Sequence, residues 1–132
     1  EAARVVDRVH GARRRRAIAV GRRLGDDFYM HVAADRRRKR DLVGAGLADV
    51  GFEVFRPAGT YFVTTDVTPL GYDDGVAFCR DLPKRAGVVA IPHSVFYDNV
   101  DAGRPLVRFA FCKRDEVLTE AVTRLRQVAA PR

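Results

Sequence analysis

Tryptophan is absent from the 132 residues, methionine occurs once, cysteine twice and histidine three times. Cys79 and Cys112 make no disulfide framework, and with so few histidines beside them no metal cluster is expected. No apolar run reaches the roughly 18 residues that a membrane-spanning helix needs, so no membrane partner is expected. The chain opens at Glu1 rather than methionine, and no apolar leader segment follows. No secretory signal is therefore visible, and a cytoplasmic piece of a longer protein is expected.

What is present is an ordinary globular composition with an uneven charge. Apolar residues make up 47% of the chain, and the length suits one domain burying roughly two-thirds of its unfolded surface. Charged residues reach 31%, in segments with clear periodicity, which excludes overall disorder. The formal charge is +7, but residues 1–40 hold 13 basic and 5 acidic residues, whereas residues 41–132 hold 11 basic and 12 acidic. A near-neutral domain thus follows a strongly basic front end.

Residues 1–24 read as a disturbed helix whose one solid apolar stretch is Ala17-Ile18-Ala19-Val20. Residues 26–50 give the best helix, with Asp26 or Asp27 as cap and Gly51 as stop. Its apolar positions Phe28, Val32, Ala33, Leu42, Val43, Leu47 and Val50 recur at helical spacing. At about 24 residues it would span roughly 36 Å, enough to link two halves of a larger protein. Residues 52–55 alternate as a strand, residues 57–59 turn, and residues 60–66 form a second strand. Residues 73–86 return to helical spacing, with Asp73-Asp74 as the natural cap and Gly87 as the stop. Residues 88–92 read as a short buried strand, 93–104 as a loop and 106–112 as another strand. Residues 114–129 read as an amphipathic helix with Val117, Leu118, Ala121, Val122, Leu125 and Val128 on one face. From residue 52 the order β-β-α-β-β-α predicts a two-layer α/β sandwich of the α+β kind, both helices on one face of a small sheet.

Arg108 is the most informative residue. Alternation along its strand puts Val107, Phe109 and Phe111 toward a core and projects Arg108 from the other face. A guanidinium there is either a fork for a carboxylate or an edge arginine, exposed or ion-paired. Residues 90–97 run from a buried strand into a loop with His93, Ser94, Phe96 and Tyr97. His93 and Ser94 point apart in an extended chain and have no placed acid partner. A packed loop with Phe96 in the core is therefore favoured over nucleophile chemistry. Gly59 would permit a positive φ or a close backbone approach. His10 and His31 have no ligand-spaced partners and read as solvated. The basic runs at residues 13–16 and 36–40 read either as a polyanion site or as solvated helix faces. No aromatic residues interleave with them to stack on bases, which weakens a nucleic-acid reading.

Taken in order, these segments resemble a known family. They are Lys39-Arg40-Asp41, Gly51-Phe52, Pro57-Ala58-Gly59-Thr60-Tyr61-Phe62 and Phe78-Cys79, followed by residues 87–97 and 107–113. Together they are similar to the carboxy-terminal part of a fold-type-I, pyridoxal-phosphate-dependent aminotransferase of class I/II. Within that class the kynurenine, methionine and succinyldiaminopimelate aminotransferase-like group is nearest. The resemblance implies a homodimeric enzyme of amino acid metabolism moving an amino group between an amino acid and a 2-oxo acid. It implies that residues 1–25 are a divergent remnant of the large cofactor domain, 26–50 the interdomain helix and 51–132 the small domain. It makes Arg108 the group that grips the substrate carboxylate, with Gly59, Tyr61, Ser94 and Phe96 near the substrate entrance. The Schiff-base lysine and the cofactor-holding residues would lie upstream. Lys39, Lys84 and Lys113 match no such position, so neither bound pyridoxal phosphate nor activity of the chain alone is expected.

The front end departs from the resemblance. Gly11-Ala12 and Ala17-Ile18-Ala19 fit the family's pattern, but Arg13, Arg14, Arg15 and Arg16 stand where relatives carry Pro-Phe-Gln-Pro. A degraded, frame-shifted or truncated coding sequence is the expectation there. Two competing readings are a small basic module that binds nucleic acid through this segment, and a folded remnant without activity.

Overall fold

The computed structural model describes residues 25–129. The expectations for residues 1–24, including the apolar stretch at 17–20, the arginines at 13–16 and His10, lie outside the described residues. The chain divides into two units, Glu1–Asp35 and Arg36–Arg132.

Helix α1 runs over Asp26–Val50. Asp26 and Asp27 occupy its first turn, where carboxylates meet the positive end of the helix dipole. The expected cap at either aspartate is corrected: the Phe28 amide donates to the Gly25 carbonyl at 3.0 Å, so the chain enters the helix at Gly25. In this first unit the Phe28 and Tyr29 rings meet edge-on at 5.6 Å.

In the second unit α1 closes as expected. Gly51 takes φ +111°, and the Phe52 amide reaches back to the Leu47 carbonyl at 3.1 Å. Strands β1 (Glu53–Phe55) and β2 (Phe62–Asp66) pair antiparallel, Val54 opposite Thr65. Helix α2 (Gly75–Ala86) is capped by Asp74, whose carboxylate accepts from the Val76 amide at 2.8 Å, and ends at left-handed Gly87. Then come β3 (Ile91–Pro92), 3-10 turns at His93–Phe96 and Val100–Gly103, β4 (Leu106–Ala110) and helix α3 (Asp115–Leu125). The sheet order is β1-β2-β4-β3, antiparallel throughout.

One sheet face carries Val63, Thr65, Val107 and Phe109, all buried, and the buried residues of all three helices cluster with them. Phe52 joins the layers, its ring edge-on to Phe78 at 5.7 Å and to Phe109 at 5.6 Å. Burial of such side chains, at roughly 25 cal/mol per Å² of apolar surface, is the main stabilising term. The opposite face bears Phe62, Thr64 and Arg108, only partly covered. The two-layer arrangement is the one the element order predicts.

Several details differ. The expected buried strand at 88–92 pairs only at Ile91 and Pro92, and Val89 and Ile91 are exposed; beyond Pro92, which offers no N–H to extend the ladder, the chain turns 3-10. In α3, Leu118 and Leu125 are buried but Val117 is exposed, and its last turn tightens to a 3-10 helix at Arg126–Val128. The basic run at 36–40 is in part a solvated face, with Arg37 and Arg38 exposed, but three of its side chains also have partners within the fold. Arg38 donates to both oxygens of Asp115, Lys39 lies 3.8 Å from the same carboxylate, and Arg40 donates to the Pro57 carbonyl at 3.1 Å. Arg40 and Arg56 both bond Asp41, and chiefly the Arg40 bond holds that carboxyl below its ordinary value. The Asp115 contacts tie α1 to α3, and the Arg40 and Arg56 bonds tie it to the turn that launches β2.

Two packing details yield predictions. A Cβ at Gly46 would overlap the Val122 methyls, so α1 and α3 touch there. Gly46→Ala should lower stability by about 1–3 kcal/mol despite its better helix propensity, and adding Val122→Ala should restore part of the loss in urea denaturation. Thr65 is fully buried, and its hydroxyl has no hydrogen-bond partner among the described residues. Thr65→Val should therefore raise the urea midpoint, by about 1 kcal/mol of stability, since it removes an unpaired polar atom at nearly constant shape.

Candidate functional site

The open sheet face is organised around the middle of β4. Arg108 stands opposite Thr64 on β2 and Ile91 on β3. Its guanidinium carbon lies 4.1 Å from the ring centroid of Phe96 and 4.7 Å from that of Phe62. Each cation–ring contact contributes about 0.5–1 kcal/mol at a partly exposed position. No carboxylate among the described residues pairs with Arg108. The cation is thus held in place by ring faces while its N–H fork stays uncommitted, a geometry suited to a planar anion.

His93 completes the cluster. Its Nε2 lies 3.1 Å from the Thr64 hydroxyl, and its ring meets Phe96 and Tyr97 edge-on at 6.4 and 6.1 Å. Partial burial, and then the positive charge of Arg108, push the imidazole below its ordinary pKa of 6.5.

The residues expected at the entrance separate. Phe96 is at the site, lying over the guanidinium with its ring 57% exposed. Its expected place in the core is corrected: Ser94, at 8% exposure, is the buried residue of that turn. A Cβ at Gly103 would meet the Ser94 amide at 3.1 Å, and that close approach is what covers the serine. Tyr61 is half-exposed and touches the site only through Phe62, edge-on at 5.6 Å. Gly59 has open space around it and no positive φ. The left-handed residue of that turn is Thr60, at φ +68°, an uncommon conformation for a β-branched side chain. Sequence reasoning did not place Phe62, Thr64 or His93 beside Arg108. The signal was there in β2: Phe62 and Thr64 alternate with the apolar Val63, and the antiparallel register then brings them beside Arg108.

A cleft of about 700 Å³ lies elsewhere. It is lined by Val43, Val88, Phe109, Val117 and Val122 on the helical side of the sheet and does not include Arg108. No group of three metal-ligating side chains occurs among the described residues. Pyridoxal phosphate would require a lysine amine beside the substrate. Lys39 is engaged with Asp115, Lys84 lies in the last turn of α2 and Lys113 borders the apolar cleft. These lysines do not fit the cofactor.

With this geometry in hand, the family model described as aminotransferase class I and II matches residues 10–125. The chain is 42% identical over 129 residues to the "Probable N-succinyldiaminopimelate aminotransferase DapC" of Mycobacterium tuberculosis, covering 92% of this chain and 32% of that protein. It is 34% identical over 112 residues to the methionine aminotransferase of Escherichia coli, covering 85% and 29%. The solved structure of N-succinyldiaminopimelate aminotransferase from Mycobacterium tuberculosis superposes with a TM-score of 0.79 at 45% identity, over 86% of this chain and 29% of that one. The chain therefore spans about a third of the length of the curated relatives it matches.

The two phenylalanines of the central strands and the turn predict opposite outcomes. Phe109 is 5% exposed and Phe96 57%. Phe109→Ala should cost about 3–5 kcal/mol in urea denaturation. Phe96→Ala should cost about 1 kcal/mol or less, because it removes one exposed cation–ring contact and leaves no cavity.

Proposed function

Because the chain belongs to the class I and II aminotransferase family, we propose that it forms the substrate-carboxylate-holding part of a pyridoxal-phosphate-dependent aminotransferase. Enzymes of this family are generally pyridoxal-phosphate dependent. The proposed reaction moves an amino group between an amino acid and a 2-oxo acid, in a cytoplasmic homodimer.

The observation that carries this reading is the uncommitted guanidinium of Arg108, held between Phe62 and Phe96. A bidentate bond to the substrate carboxylate fixes one end of a small molecule, and the two rings fix the fork that makes it. Phe96, Tyr97 and Tyr61, all exposed, form the apolar margin of the site and limit water around the ion pair. In this proposal residues 26–50 are the interdomain helix and 51–132 the small domain. The cofactor supplies the electron sink of the reaction from elsewhere in the enzyme. This part of the chain binds and orients the substrate, and the chain alone does not transaminate. Exposed Val89, Ile91 and Val95 support the view that the rest of an enzyme covers this piece. The run at 36–40 favours a polyanion partner less, since Arg38, Lys39 and Arg40 already have partners within the fold.

In an enzyme containing this chain together with its cofactor-binding part, Arg108→Ala should lower kcat/KM for amino acid and 2-oxo acid roughly 10- to 100-fold, the worth of charge-assisted hydrogen bonds. Arg104→Ala, which removes an exposed partner of Asp101, should leave it unchanged. A loss below about twofold for Arg108→Ala would refute the assignment.

A further inference from the structure

His93 leaves the turn after β3, and its hydrogen-bond partner Thr64 sits on β2. In the sheet order β4 lies between those two strands. The His93–Thr64 bond therefore passes over β4, on the face that bears Arg108. The imidazole is thus fixed next to the one cation of the site by a strap between its flanking strands. Because a threonine hydroxyl both donates and accepts, this strap persists whether Nε2 carries a proton or not.

We propose that His93 is a proton-linked positioning residue of the Arg108 site: a carboxylate bound at Arg108 draws a proton from water onto the imidazole, and the imidazolium tightens the hold on that carboxylate. The inference rests on the reading that Arg108 takes a carboxylate. In the free chain partial burial and, second, the neighbouring cation oppose protonation of His93. A bound carboxylate offsets the cation and adds an attractive charge. By reciprocity, whatever raises proton affinity on binding makes binding stronger as pH falls through the histidine range. Other charges facing His93 do not compete. On α2, Asp74 caps its own helix, Asp81 bonds Tyr72, and Arg80 and Lys84 are exposed. On the adjoining turn, Asp101 and Arg104 pair at 3.7 Å and Asp98 is exposed. Of its own segment the Phe96 and Tyr97 rings adjoin it, on β2 Asp66 accepts from the Thr68 amide, and on β4 only Arg108 is charged.

The test is an NMR titration of the histidine Cε1–H signals of the full chain with and without pyruvate, a 2-oxo acid whose carboxyl group stays ionised throughout. His93→Gln assigns the resonance. Saturation with pyruvate should raise the His93 midpoint, and the pyruvate Kd should fall roughly threefold or more between about pH 7.5 and pH 5.5. The wild-type titration needs no variant, so a folding defect cannot obscure it. In His93→Gln the affinity should be independent of pH. An unmoved midpoint, or a pH dependence retained in His93→Gln while Arg108→Ala abolishes binding, would overturn this proposal and leave the Arg108 assignment standing. Equal pyruvate binding by wild type and Arg108→Ala would overturn both.

Discussion

A β-strand sends successive side chains to opposite faces, and in β4 this alternation sets Val107 and Phe109, both buried, against Arg108 between them. The core on one side holds the backbone rigid. The other side inherits that rigidity at no further cost in ordering. Removing a guanidinium from water is expensive unless its faces and edges find partners. Here the guanidinium lies over the rings of Phe62 and Phe96 and pairs with no carboxylate among the described residues. The rest of the molecule follows from this division: helices on one layer, a shallow aromatic site on the other.

Much of this is legible in the sequence. Helical spacing of Leu47 and Val50, the stop at Gly51 and the Asp74 cap are local signals, and the structure uses each of them. The face assignment of Arg108 needed only the period of two. What could not be read were contacts set by register and by turns. Phe96 looked like core because it is large and apolar, yet the turn at residues 93–96 places small Ser94 inward and leaves the ring over the cation. Gly59 looked like the left-handed residue because glycine tolerates that conformation most easily, but the geometry of the turn falls one position later, on Thr60. The partners of Arg38 and Lys39 lie on α3, 77 residues away for the Arg38 bond, beyond any local pattern.

The comparisons and the geometry bear on different levels. Family membership follows from similarity along most of the chain, including the segments that build β2, the turn after β3, and β4. It does not distinguish which side chains the site uses. That distinction comes from cross-strand placement, where Thr64 and His93 join Arg108 although they lie far apart in sequence. A site of this kind is a property of the sheet rather than of any single motif.

The two outer strands have one more consequence. β1 is three residues long and β3 only two, the second of them a proline. Free strand edges are the usual template for uncontrolled growth of one sheet onto another, and both edges here are too short or too poor in N–H donors to serve. A chain that leaves Val89, Val95 and Phe96 uncovered would thus adhere to neighbours through side-chain contact, which is reversible, and would resist the backbone-laddered polymers that lead to fibrils.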